Sequence, residues 1–403
     1  MDKMPDAKPF NIMAKPIGPR CNIDCKYCYY LEKESQFPKE KKFRMHRHVL
    51  ERYIEAKFEA AAKVNMQQVN FAWQGGEPTI LGVPYFKDIV ALQKQLAPGG
   101  MTFTNAIQTN GMLLDDNWGA FLSENRFLVG ISIDGPQKIH DRYRVGQENR
   151  PTFRAVMKGI EILQLYQVSH NALTVVNRYN ATKGQEVYTF LKGAGFNHIQ
   201  FIPIVERTRG GDQLAGAPRS ETGTDLEITD WSARPKSYGK FLCDIFDIWY
   251  RKDVGKISVQ HFDVMLGKWM GEKYGLCVFA ETCGDSLALE HNGNLYACDH
   301  YVYPEYLLGN ILNTPLVEMV YSDRQAKFGR DKRDYLTNQC KSCPFKFACN
   351  GGCPKHRFAT SALGEPGHNY FCESYTMFFK HAKDRLALLA RSYSRAMNLH
   401  KSS

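Results

Sequence analysis

A chain of 403 residues with 43% hydrophobic content is long enough for one large α/β domain and a smaller one, so disorder is not its default state. No run approaches the roughly eighteen apolar residues of a membrane span, and Met1–Phe10 is polar with Pro5 and Pro9, so we expect neither signal peptide nor anchor and a cytoplasmic location. The net charge of +10 is spread out, with local clusters such as Lys39–Lys42, and no aromatic-interleaved basic motif points to nucleic acid. Twelve cysteines in such a chain argue for metal ligation rather than disulfides, because a reducing compartment keeps thiols free.

In chain order, β-rich runs alternate with amphipathic stretches. Strands are predicted at Asn11–Lys15, Gln68–Ala72, Thr102–Gln108, Leu128–Ile133, Asn171–Val176 and His198–Ile204. Helices are predicted between them at Arg47–Lys63, Tyr85–Leu96, Asp116–Ser123, Phe153–Leu165 and Gly184–Lys192. Repeated βα units imply a parallel sheet. Six strands are too few for a closed eight-stranded barrel, so the expected fold is α/β, a partial (β/α)6 barrel with a lateral opening. A Gly-, Pro-, Ser- and Thr-rich loop follows from Arg207 to about Arg234, then an amphipathic helix over Lys236–Arg251 that carries Cys243. Beyond Gly275 eight cysteines fall between Cys277 and Cys372, and Glu373–Arg395 reads as a closing helix. The expected divisions are 1–235 (core about 11–205), a helical connector 236–274, a cysteine-rich domain 275–375, and a helix and tail 376–403.

The loops after the predicted strands carry the chemistry. Cys21, Cys25 and Cys28, with Tyr29 and Tyr30 behind them, follow the first strand. Three thiolates on one tight loop can hold three irons of a 4Fe-4S cluster and leave the fourth open, whereas structural zinc and structural clusters take four ligands. Gln74, Gly75, Gly76 and Glu77 follow the second strand, Asn110 the third, and Ser132 closes the fourth, with Arg144 a little beyond it. The pattern Cys-x3-Cys-x2-Cys-aromatic resembles the signature of the radical S-adenosylmethionine (SAM) superfamily. That resemblance implies that the open iron chelates SAM and that an electron from the cluster yields a 5′-deoxyadenosyl radical. It further implies that Gly75, Gly76, Glu77, Asn110, Ser132 and Arg144 line the SAM site. An Arg suits the SAM carboxylate because its fork donates two parallel hydrogen bonds.

Cys340-x2-Cys343-x5-Cys349-x3-Cys353, with Cys372 further on, resembles the SPASM extension of radical SAM enzymes that modify peptides. Five cysteines exceed one four-ligand set, and upstream Cys277, Cys283 and Cys298 lack a fourth. Family precedent assigns Cys353 to those three and leaves Cys340, Cys343, Cys349 and Cys372 as the second set, giving three 4Fe-4S clusters with the triad's. Two zinc sites are the alternative that four-thiolate sets leave open.

Cys298-Asp299-His300 and Cys349-Asn-Gly-Gly-Cys353-Pro-Lys355 are similar to segments of the anaerobic sulfatase-maturating enzymes, which oxidise a Cys or Ser of a sulfatase to Cα-formylglycine. The resemblance makes Asp299 the expected general base and sets Tyr30 and Gln74 near the substrate. It implies as partners a sulfatase polypeptide with a Cys/Ser-x-Pro/Ala-x-Arg motif and a flavodoxin or ferredoxin-type reductant, and a monomer without nucleic-acid or membrane partners. The competing expectation is another SPASM peptide modifier, forming thioethers or a quinone cofactor. Many of those carry an extra N-terminal peptide-recognition domain, and with the triad starting at Cys21 none is expected here.

Overall fold

The computed structural model describes residues 8–37, 43–210, 214–217, 226–273 and 275–401. The first residues of the polar N-terminal stretch, the Lys39–Lys42 cluster and parts of the loop from Arg207 to Arg234 lie outside the described residues.

Six strands alternate with five long helices through the first half: β1 (Asn11–Lys15), α1 (Arg47–Lys63), β2 (Gln68–Trp73), α2 (Gly82–Leu96), β3 (Thr102–Thr109), α3 (Asp116–Glu124), β4 (Leu128–Ser132), α4 (Phe153–Leu165), β5 (His170–Val176), α5 (Gly184–Gly193) and β6 (His198–Pro203). Then come α6 (Pro235–Lys252), α7 (Gln260–Trp269), β7 (Ser286–Glu290), β8 (Asn294–Tyr296), β9 (Leu307–Asn310) and the long helix α8 (Cys372–Lys401). Local chemistry explains most of these. Val156, Gly159, Ile160 and Leu163 recur at helical spacing and are the buried face of α4. The Asp115 carboxylate accepts from the Trp118 amide at 2.9 Å and so caps the start of α3. Helix α2 begins at Gly82, three residues before the predicted start, because Pro84 is tolerated in a first turn.

The chain forms two compact units. The first comprises residues 1–133, 140–171 and 284–329. Its strands lie in the order β9-β8-β7-β1-β2-β3-β4. Strand β7 was not foreseen from the sequence: it pairs parallel with β1, setting Ala14 opposite Leu289 and Lys15 opposite Glu290. Strands β8 and β9 continue the edge antiparallel. Part of the cysteine-rich segment thus builds onto the first strand of the βα series.

The second unit comprises residues 134–139, 172–283 and 330–403. Strands β5 and β6 pair parallel, followed by the short strand Ser258–Val259. Helix α8 packs along α6 and α7, and Phe246, Trp249, Phe262 and Phe378 meet there ring against ring. Cys243 is buried on α6.

Candidate active site

In the first unit, the triad loop leaves the end of β1 and is fixed by its backbone. The Asp24 amide donates to the Val145 carbonyl at 2.7 Å, the Lys26 amide to Tyr143 at 2.9 Å, and the Cys28 amide closes a turn on Cys25 at 2.9 Å. Arg144, buried between those two acceptors, donates from Nη1 to the Tyr27 hydroxyl at 3.0 Å. The loop after β2 is pressed against the same segment. Gly76 and Glu77 donate to the carbonyls of Gly18 and Arg20 at 2.7 and 2.9 Å. A Cβ on Gly76 would stand 1.9 Å from the Arg20 oxygen, so glycine is required there by contact.

Glu77 is 1% exposed and bonded through both carboxylate oxygens. Its Oε1 accepts from the Thr79 amide at 2.9 Å, the Thr79 hydroxyl at 2.6 Å and the Thr109 hydroxyl at 2.7 Å, while Oε2 accepts from the Asn110 amide at 2.6 Å. Burial raises its pKa and these bonds only partly offset the rise. Glu77 therefore clamps the loop after β2 to the loop after β3. Asn110 extends the clamp, with Nδ2 donating to Asn22 Oδ1 at 2.7 Å, beside the Cys21 sulfur at 3.8 Å. Ser132 accepts from Gln108 at 3.0 Å. The Gln74 side-chain carbonyl is buried with no hydrogen-bond partner among the described residues, an acceptor free for a ligand.

Asp299 is bonded to both ends of that loop's setting. The Tyr29 hydroxyl, next in sequence to Cys28, donates to its Oδ2 at 2.9 Å. Lys15 Nζ, 2% exposed at the end of β1, lies 2.5 Å from its Oδ1. Burial pushes the Asp299 pKa up, but the Lys15 charge, then His300 and the hydrogen bonds from Lys15 and Tyr29, bring it down to about 2. It is a carboxylate at every working pH. The Lys15 ammonium also rides 4.0 Å over the Tyr30 ring, and the Tyr30 hydroxyl donates to Glu290, which ends β7. Lys15 and Glu290 escaped the sequence reading, and Tyr29 entered it only as the aromatic behind the cysteine triad. Their signal was a charge ending an otherwise apolar strand, Lys15 on β1 and Glu290 on β7.

In the second unit, Cys340, Cys343, Cys349 and Cys372 line one cavity of about 370 Å³. Burial first, then Cys372 and Cys340, push the Cys349 thiol up to about 12. Cys283 is pushed up to about 12 as well, by burial, with Cys353 and Cys277 adding to the rise. Such thiols become thiolates only when a metal supplies compensating charge. No disulfide joins any of the twelve cysteines. Among the described residues, no three His, Cys, Asp or Glu side chains converge on a single ion. Cys298 belongs to the first unit, beside Asp299.

Residues 16–191 match the Radical SAM superfamily and residues 277–344 the SPASM iron-sulfur cluster-binding domain. The serine-type anaerobic sulfatase-maturating enzyme of Bacteroides thetaiotaomicron is 46% identical over 94% of this chain and 90% of its own length. The chain belongs to the anaerobic sulfatase-maturating enzymes. The cysteine-type member from Clostridium perfringens (strain ATCC 13124) is 32% identical, covering 95% of this chain and 99% of its own. A solved structure of native anSMEcpe with bound AdoMet and Cp18Cys peptide superposes with a TM-score of 0.83 at 31% identity, covering 96% of this chain and all of that one. The expected fold, a partial (β/α)6 radical SAM barrel followed by a SPASM domain, is borne out for this family member, as are SAM and 4Fe-4S clusters as its cofactors. No helix among the described residues is long and apolar enough to cross a membrane.

Proposed function

We propose that this protein oxidises a serine, and less readily a cysteine, of a sulfatase polypeptide to Cα-formylglycine. Serine is ranked first because the serine-type relatives share 46% and 34% identity with the chain, against 30–32% for the cysteine-type ones. The observation that carries the reading is the Tyr29–Asp299 hydrogen bond, which ties the cysteine loop to a buried carboxylate.

In this reading Cys21, Cys25 and Cys28 hold the open cluster, with Gly75, Gly76, Glu77, Asn110, Ser132 and Arg144 around SAM. Cys277, Cys283, Cys298 and Cys353 hold a second cluster and Cys340, Cys343, Cys349 and Cys372 a third. When bound, these groups supply a 5′-deoxyadenosyl radical that removes a hydrogen atom from the target Cβ, and an acceptor for the electron that follows. Asp299 takes the hydroxyl or thiol proton. Each of its oxygens keeps a lone pair beyond the Lys15 and Tyr29 contacts. A hydroxyl on a carbon radical is more acidic than the same group on a closed-shell carbon, which offsets part of the low basicity of Asp299. Lys15 and Tyr29 fix the carboxylate's direction, which is worth more than basicity when the proton must move in one geometry. Gln74, through its unbonded carbonyl, and Tyr30 orient the peptide. Loss of one hydrogen atom, one proton and one electron leaves the aldehyde from serine; from cysteine it leaves a thioaldehyde that water hydrolyses.

The same reading keeps the functional divisions at 1–235, 236–274, 275–375 and 376–403, and makes the protein a cytoplasmic monomer served by a flavodoxin or ferredoxin-type reductant, since cysteines outside disulfides and clusters need a reducing compartment. The test is anaerobic incubation of iron-reconstituted protein with SAM, a reductant and paired peptides containing Ser-x-Pro-x-Arg or Cys-x-Pro-x-Arg. Mass spectrometry should find the serine residue short of two hydrogens. A thioether cross-link, or SAM cleavage with both peptides intact, would overturn the assignment.

A further inference from the structure

Two buried cations in the second unit have no carboxylate among their hydrogen-bond partners. Lys332 is 1% exposed, and its ammonium donates to the carbonyls of Cys277 at 2.6 Å, Val278 at 2.9 Å and Ala280. Arg357, also buried, donates to Gly351 at 3.1 Å, Asn350 at 3.0 Å, Gly352 at 3.3 Å and the Lys332 carbonyl at 2.5 Å. The first three of those carbonyls belong to the turn between Cys349 and Cys353, whose residues Asn350, Gly351 and Gly352 all have left-handed backbone, with φ of 48°, 71° and 63°. Lys332 thus caps the turn that starts at Cys277, and Arg357 fills the turn that joins cysteines of both C-terminal sets.

Neutral carbonyls satisfy hydrogen bonds but leave a buried charge uncompensated, which is costly. The anions within reach are thiolates. Those of Cys283, Cys353 and Cys277 act on Lys332, together with the opposing charge of Arg357. Those of Cys340 and Cys349 act on Arg357 alongside Cys353 and Cys283. Four thiolates around a 4Fe-4S core carry net negative charge, which grows by one on reduction, and reduction potential follows the charge and hydrogen bonding around the cluster.

We propose that Lys332 and Arg357 are a buried cation pair that compensates the thiolates of the two C-terminal cysteine sets and biases the clusters they hold toward accepting the substrate's electron. Lys332 serves the set containing Cys277, Cys283 and Cys353; Arg357 lies between the sets and serves both. The balance is one electron from the substrate radical to one cluster, with no proton taken up there. The inference rests on the proposed cluster assignment, and the two fail differently.

The test is EPR-monitored potentiometry of the reconstituted holoprotein, with iron and zinc counted in the same samples. Lys332→Met should make one C-terminal cluster harder to reduce by tenfold or more in its one-electron equilibrium, about 59 mV, and leave the triad cluster unmoved. Arg357→Gln should shift both C-terminal clusters. Arg357→Lys keeps charge while losing the fork, so restoration of both potentials, or of iron content if Arg357→Gln loses it, supports compensation rather than turn building. Unchanged potentials at full iron content, or the same defect in Arg357→Lys as in Arg357→Gln, overturn the inference while the cluster assignment stands. Zinc in the wild-type C-terminal sites overturns the assignment itself.

Discussion

The two cysteine regions set their thiols in different balances of charge. At the triad, burial and then the Glu77 carboxylate raise the Cys21 pKa to about 11, with Arg144 pulling the other way. At Cys283 burial is again the largest effect, but Lys332 and Arg357 pull against it. Nearby negative charge disfavours adding an electron and nearby positive charge favours it. On the proposed reading, the first region, with Arg144, Asn110 and the Gln74 carbonyl around it, takes a ligand and gives up an electron, and the second holds charge.

The comparison breaks most severely if the regions do not act separately. Replacing Cys21, Cys25 and Cys28 together with Ala should abolish 5′-deoxyadenosine formation while about eight of about twelve irons remain, as iron analysis and chromatography would report. Loss of all iron would mean that the C-terminal sets depend on the triad.

Next in size is Asp299. Asp299→Asn should lower formylglycine formation by roughly a hundred- to ten-thousand-fold, with SAM cleavage persisting in the presence of peptide. Lys15→Met leaves the Asp299 charge buried and unpaired, and thermal or denaturant unfolding should register a loss of about 3–5 kcal/mol. An unaffected melt would mean that the Lys15–Asp299 pair does not bear on stability.

Glu77 and Arg144 sharpen the comparison within the first region. Arg144→Ala should weaken SAM binding by about 1.5–3 kcal/mol with iron content intact, read by calorimetry. Glu77→Ala should do the same and also destabilise the fold, because it strands the buried amides of Thr79 and Asn110. Equal SAM affinity in both variants and the wild type would misplace the site.

The smallest effect belongs to the second region alone. His261 on α7 is enclosed by Phe262, Phe279, Tyr375 and Phe378, and burial lowers its pKa to about 3. The unfolded chain, with an ordinary pKa of about 6.5, binds the proton first. Stability is therefore full above that value and falls as the pH drops toward 3. Between about pH 7 and about pH 5 the loss should be about 2 kcal/mol, and His261→Phe should flatten that part of the melting profile. An unchanged slope would assign the acid sensitivity elsewhere.

What the sequence made legible was local. Strand β1 and helices α1 and α4 were predicted to the residue, because hydrophobic period and strand-end turns are written in consecutive positions. The loops that follow β1, β2 and β3 could be located for the same reason. Strands β7 to β9 could not: Ser286–Glu290 is a short apolar run among Cys, Gly and Asn, and its partner β1 is 275 residues away in register. Buried charges were illegible in the same way. Lys332 reads as one more basic residue of a polar helix, and only the turn from Cys277 to Ala280, contributed from 52 to 55 residues upstream, makes it a core cation. Glu77 was read as a SAM contact, whereas its four hydrogen bonds also give it a clamping duty that depends on Thr109 and Asn110.

The division of labour between the two regions is tested most directly by counting 5′-deoxyadenosine and formylglycine in the same reactions, for the wild type and for the Cys340→Ala/Cys343→Ala variant. The wild type should form the two products in step. The variant, with its triad intact, should go on cleaving SAM in the presence of peptide and form little or no aldehyde. Formylglycine in the wild-type proportion from that variant would contradict the assignment of the C-terminal cysteines to electron acceptance.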